Sequence, residues 1–97
     1  MPELKNMFAV PNGGLRHKAV AMKLKNSGAK AGVPDIFLAY PKGVYAGLWI
    51  EMKYGKNKTT PLQRDWINRL QDAGYRVEVC YGDEAWEVIL DYLKGEV

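Results

Sequence analysis

Ninety-seven residues, 47% hydrophobic and 26% charged, describe one folded domain over residues 1–97 and leave too little chain for a second core. No run approaches the roughly 18 apolar residues of a membrane span, and with one cysteine (Cys80) and one histidine (His17) the chain can build neither an internal disulfide nor a His- or Cys-cluster zinc site. The net charge of +3 is unevenly spread: residues 1–60 hold ten Lys/Arg against three acids, and residues 61–97 hold four against eight, so one half of the chain is suited to a polyanion.

In chain order, Met1-Pro2-Glu3-Leu4-Lys5-Asn6 lacks the basic-then-apolar layout of a signal peptide, and a cytoplasmic protein is expected. Met7-Phe8-Ala9-Val10 is a short apolar run, a weak strand, stopped by the turn cluster Pro11-Asn12-Gly13-Gly14. From Leu15 to Asn26 the period becomes helical, with Leu15, Ala19 and Met22 on one face and Arg16, Lys18, Lys23 and Lys25 elsewhere. Ile36-Phe37-Leu38-Ala39-Tyr40 reads as a buried strand, and Pro41-Lys42-Gly43 turns it back into Tyr45–Lys53 as a β-hairpin. After the basic loop Gly55-Lys56-Asn57-Lys58 comes a helix start with Thr60 as N-cap, Pro61 at the first helical position and Gln63 completing a capping box. Leu62, Trp66 and Leu70 mark its expected buried face, and Gly74 its end. Arg76–Tyr81 alternates as a further strand, in which Cys80 is expected to be inert core. Gly82-Asp83 opens a last helix expected to turn Trp86, Ile89 or Leu90, and Leu93 inward. A hairpin combined with a helix-linked strand implies an α/β fold, a mixed sheet flanked by helices.

The hairpin carries an acid on each arm. Asp35 precedes Ile36–Tyr40, and Glu51-Met52-Lys53 follows Leu48-Trp49-Ile50. Side chains alternate along a strand, so Glu51 and Lys53 share a face, which Asp35 joins only if the hairpin register has matching parity. Pairing Asp35 with Glu51 centres the loop on Gly43 and demands either an odd number of loop residues or a bulge that resets the register. Two carboxylates and an ammonium gathered this way suit Mg²⁺, which takes one or two carboxylates, keeps several waters and leaves room for phosphate oxygens. Without a cation the carboxylates would repel an incoming phosphate.

Val33-Pro34-Asp35 followed by Glu51-Met52-Lys53 resembles the PD-(D/E)xK nuclease signature. The bare pattern arises often by chance. The ordered set Pro11-Asn12-Gly13-Gly14, Gly32-Val33-Pro34-Asp35-Ile36, Gly47-Leu48-Trp49-Ile50-Glu51-Met52-Lys53, Pro61-Leu62-Gln63-Arg64-Asp65-Trp66 and Leu70-Gln71-Asp72-Ala73-Gly74-Tyr75 is far more specific, and over nearly the whole chain it resembles the virus-type replication-repair nuclease (VRR-NUC) domain, in its short standalone phage-like form. That resemblance implies a restriction-endonuclease-like fold and Mg²⁺- or Mn²⁺-dependent cleavage of DNA. It makes Asp35, Glu51 and the Met52 backbone carbonyl the metal ligands, Lys53 the catalytic lysine and Gln63 an active-site glutamine, alongside that residue's capping role. It also implies a homodimer acting on branched DNA such as four-way (Holliday) junctions. Longer relatives carry an acid on an N-terminal helix, for which Glu3 is a poor substitute, so neither a fourth acidic ligand nor a second metal is expected.

Asn12, Arg16, Lys18, Lys23, Lys25, Lys30, Lys56 and Lys58 are the candidate DNA contacts, with His17 a surface or DNA-facing residue rather than a general base. A dimer also fits the aromatic load: Tyr45, Trp49, Tyr54, Tyr81 and Tyr92 exceed what one small core holds beside Trp66 and Trp86, and with Leu93 could form a self-contact. Two other functions compete with a structure-directed endonuclease. A non-catalytic DNA-binding module of the same fold is opposed by the intact Asp35, Glu51 and Lys53. An interaction protein without nucleic acid leaves the basic half unexplained.

Overall fold

The computed structural model describes residues 1–11 and 31–95. The expected turn at 12–14 and helix Leu15–Asn26, with Asn12, Arg16, His17, Lys18, Lys23, Lys25 and Lys30, lie outside the described residues. A 3₁₀ turn over Pro2–Asn6 leads into β1 (Met7–Ala9), followed by β2 (Ile36–Leu38), β3 (Leu48–Lys53), α1 (Pro61–Asp72), β4 (Arg76–Tyr81) and α2 (Glu84–Lys94). Among the described residues the four strands form one sheet in the order β1-β2-β3-β4, antiparallel except for the parallel β3–β4 pair that α1 connects. This is the mixed α/β fold expected from the hairpin and the helix-linked strand.

The hairpin arms are shorter than their apolar runs. Ile36 pairs with Ile50, Phe37 with Trp49 and Leu38 with Leu48, after which β2 stops. Lys42 and Tyr45 then bridge each other around Gly43-Val44, with Gly43 at φ +59°. That bridge is one residue out of step with the ladder: three residues (39–41) stand on one arm against two (46–47) on the other. The extra residue is the register reset that opposing Asp35 and Glu51 required.

Even-numbered residues of β3 form the core face. Leu38, Leu48 and Ile50 are fully buried and pack with Cys80, Ile89, Tyr92 and Leu93. The Tyr92 hydroxyl donates to the Tyr40 carbonyl at 2.6 Å, which satisfies its one polar group. Tyr92 and Leu93 are therefore core rather than a self-contact surface. Trp86, expected inward, is 50% exposed. The inward stripe of α2 is Ala85, Val88, Ile89, Tyr92 and Leu93, a complete i, i+3, i+4, i+7, i+8 face whose phase turns Trp86 away. Trp49 is housed by stacking on Phe37 at a ring separation of 4.1 Å, with Tyr75 edge-on to both.

In α1, Leu70 is buried and Trp66 half-buried under the Arg69 guanidinium, 4.0 Å from its ring centre. Leu62, expected to be buried, is 48% exposed because it sits in the first turn, where its inner edge meets Gly32. A Cβ on Gly32 would lie 2.7 Å from Leu62 Cγ, and Gly32 is also at φ +89°, so space and backbone both demand glycine there. The capping box is present as expected: Gln63 N–H donates to Thr60 Oγ1 at 3.2 Å and Thr60 N–H to Gln63 Oε1 at 2.9 Å. Thr60→Ala should destabilise the fold by about 1 kcal/mol in thermal or urea denaturation. An unchanged midpoint would mean that the cap contributes nothing.

Candidate active site

Asp35 lies one residue before β2, and continuing the Ile36–Ile50 register sets it opposite Glu51. Three features of the chain hold it there. Pro34 is fully buried and restricts the backbone entering the strand. The Val10 N–H donates to the Asp35 carbonyl oxygen at 2.7 Å, continuing the β1–β2 pairing by one residue. The Met52 N–H donates to Asp35 Oδ2 at 2.8 Å, fastening the carboxylate to the strand that carries Glu51. Met52 meets Asp35 through its backbone N–H, a contact separate from the metal-ligand role expected of its carbonyl. Neither backbone donor is legible in the sequence, because each depends on a register between strands distant in the chain.

Glu51 is the one charged residue of the described core, 3% exposed on the odd-numbered face of β3. Its carboxyl is pushed up from an ordinary 4.5 to about 8, first by burial, then by hydrogen bonding to Asp35 and the nearby Asp35 charge; the Lys53 ammonium opposes the rise. Glu51 Oε1 is buried without a hydrogen-bond partner. A buried carboxylate oxygen in that condition is costly unless something positive faces it. Lys53, two residues on, shares the Glu51 face and sits opposite Tyr81 of β4. The structure thus brings Asp35, Glu51 and Lys53 together at one end of the sheet.

Gln63 lies in the first turn of α1, where its neighbour Leu62 meets Gly32 three residues before Asp35, and its side chain turns back to the Thr60 backbone. Its carbonyl oxygen is engaged by the cap, while the other end of the amide offers two N–H donors. Lys56 and Lys58 are exposed on the loop leaving β3. Cys80 is 1% exposed with its thiol pushed up to about 11, chiefly by burial, which agrees with inert core.

Among the described residues no group of three or more His, Cys, Asp or Glu is placed to hold a metal ion; the acids that meet here are Asp35 and Glu51. Two carboxylates, one with an orphaned buried oxygen, fit a hard divalent cation that keeps most of its waters.

The VRR-NUC domain model matches residues 5–84, which include all of Asp35, Glu51, Lys53 and Gln63. The chain belongs to the VRR-NUC family. A solved structure described as a VRR_NUC domain protein superposes with a TM-score of 0.78 at 34% identity, over 94% of this chain and 70% of the other. No curated protein matches the sequence. VRR-NUC is a nuclease-type domain, and the sheet and helices of this chain are arranged as in that relative.

Proposed function

We propose that this VRR-NUC chain is a divalent-metal-dependent DNA endonuclease, directed to branched DNA such as four-way junctions. The observation that carries the reading is Glu51: a buried carboxyl with an unsatisfied oxygen, hydrogen-bonded to Asp35 and two residues from a lysine on the same face. A structural role alone would leave that oxygen uncompensated. The remaining polar core of the described residues shows no comparable group beyond the Trp49 indole N–H.

Asp35 and Glu51 would hold Mg²⁺ or Mn²⁺, which when bound supplies charge neutralisation at the phosphate and acidifies a water. The protein's own contribution is placement. Met52 and Val10 fix Asp35, burial fixes Glu51, and the strand alternation aims Lys53 at the same spot. Lys53 would position the attacking oxygen or stabilise negative charge building on the phosphoryl oxygens. Gln63 would orient substrate or water through its amide N–H groups while it caps α1.

DNA contacts are assigned to Lys56 and Lys58 on the exposed loop, with Asn12, Arg16, Lys18, Lys23, Lys25 and Lys30 as further candidates. Such contacts are phosphate contacts, so affinity should fall by about 0.9 log units per log unit of salt for each phosphate neutralised. Affinity flat between low and moderate salt, in fluorescence anisotropy with EDTA, would point to a different ligand.

Two symmetric cuts at a junction require two sites, which a homodimer supplies directly. With Tyr92 and Leu93 inside, Trp86 on α2 and Phe8 on β1 are exposed aromatics available to such a contact. Light scattering at tens of micromolar should give twice the chain mass; a monomer would remove the paired-cut part of the reading. The reading as a whole is tested by incubating the protein with linear, flap and four-way-junction DNAs in Mg²⁺, Mn²⁺ or EDTA. Cutting is expected only with a divalent cation and fastest on branched substrates, and intact DNA under every condition would overturn it.

A further inference from the structure

β3 ends at Lys53, and the next residue, Tyr54, holds its ring in water, 67% exposed. The loop that carries it is tied at both ends. The Asn57 N–H donates to the Tyr54 carbonyl at 3.1 Å, closing a turn through Gly55 at φ +58°. The Tyr81 hydroxyl, from the residue that faces Lys53 across the β3–β4 ladder, donates to the Asn57 carbonyl at 2.7 Å. Further on, Arg64 Nη1 donates to the Thr59 carbonyl at 2.5 Å and Thr60 caps α1. An exposed aromatic has therefore been placed on a pinned loop beside the candidate catalytic lysine, between that lysine and two exposed ones, Lys56 and Lys58.

Positive charge along a groove with a solvent-facing aromatic is the combination that binds single-stranded nucleic acid, the lysines taking phosphates and the ring taking the face of a base. A paired base inside a duplex offers no such face. We infer that Tyr54 stacks on an unpaired nucleobase of DNA held along the Lys53–Lys58 segment, so that the protein favours DNA with an unpaired nucleotide over continuous duplex. This rests on the proposed nuclease reading and adds a preference, within its branched substrates, for those that carry an unpaired nucleotide, such as flaps. Pinning by Tyr81 and Asn57 lowers the ordering cost of the contact, because the loop need not be fixed at the moment of binding.

The test uses the full chain in EDTA, where cutting plays no part, and two probes of one sequence: a continuous duplex, and the same duplex with a short gap holding an unpaired 2-aminopurine. The wild type is expected to bind the gapped probe roughly tenfold more tightly than the duplex and to quench its fluorescence. In Tyr54→Ala that ratio should fall towards one and the quench should disappear, while Tyr54→Phe, which keeps the ring, should retain both. A wild type without preference, or a Tyr54→Ala variant with undiminished preference and quench, would overturn the inference. A protein that cuts DNA in Mg²⁺ but never quenches the probe would sink the stacking alone. One that quenches but never cuts would sink the nuclease reading and leave the stacking in place.

Discussion

Asp35→Ala and Glu51→Gln should each lower the single-turnover rate of DNA cutting by about a thousandfold. A cation at a scissile phosphate is worth several kcal/mol of transition-state stabilisation, and about 4 kcal/mol corresponds to that factor. Glu51→Gln keeps the volume of the buried side chain, and Asp35 lies outside the apolar core, so circular dichroism should report an intact fold. Lys53→Ala removes one preorganised charge and should cost roughly a hundred- to a thousandfold. Gln63→Ala should cost less and, through the lost cap, up to about 1 kcal/mol of stability. Ordinary rates in the Asp35, Glu51 and Lys53 variants together would disprove the assigned site.

The second large effect is on stability. Glu51 holds its proton more tightly in the folded protein, to about pH 8, than in the unfolded chain, near 4.5. The resulting contribution is fully present below about pH 4.5 and is lost as pH rises through about 8, because deprotonation then favours the unfolded chain. The metal-free protein should therefore melt at lower temperature at pH 8 than at pH 5, by a difference on the order of a few kcal/mol in stability. Cys80, raised to about 11, titrates above this window and does not contribute to the slope. Glu51→Gln should flatten the profile and stabilise the protein at pH 8. Mg²⁺ or Mn²⁺ added to the wild type at pH 8 should raise its melting temperature, since a ligand of the folded state alone stabilises by mass action, and should do little for the Gln variant. A pH-independent wild-type melt in EDTA would show that Glu51 is not strained in the way its surroundings imply.

Much of this was legible in the sequence for identifiable reasons. In the strand Arg76–Tyr81, Val77 and Val79 alternate against Arg76 and Glu78, and the Thr60-Pro61-Leu62-Gln63 start carries both halves of a capping box, so these observed elements coincide with the expected ones. The opposition of Asp35 and Glu51 is conditional in the sequence on matching parity, and the one-residue offset beyond Leu38 is the bulge that meets the condition. In α2 the expectation holds for Ile89 and Leu93, which are buried, and fails for Trp86: size favours it for the core, whereas the smaller Ala85 and Val88 complete the inward stripe. Tyr92, surplus to a small core by aromatic count, enters it because its hydroxyl bonds the Tyr40 carbonyl. The depth of Glu51 and the backbone anchors of Asp35 depend on strands that meet only after folding, and no local pattern announces them.

The central claim is that Asp35 and Glu51 hold a divalent cation with which this VRR-NUC domain cuts DNA. The most direct measurement is a single-turnover time course on a labelled four-way junction with Mg²⁺ titrated upwards from EDTA, in the wild type and in Glu51→Gln. No product is expected in EDTA, the wild-type rate should rise with Mg²⁺ to saturation, and the Gln variant should stay near zero throughout. Cutting that persists in EDTA, or a Gln variant that follows the wild-type curve, would contradict it.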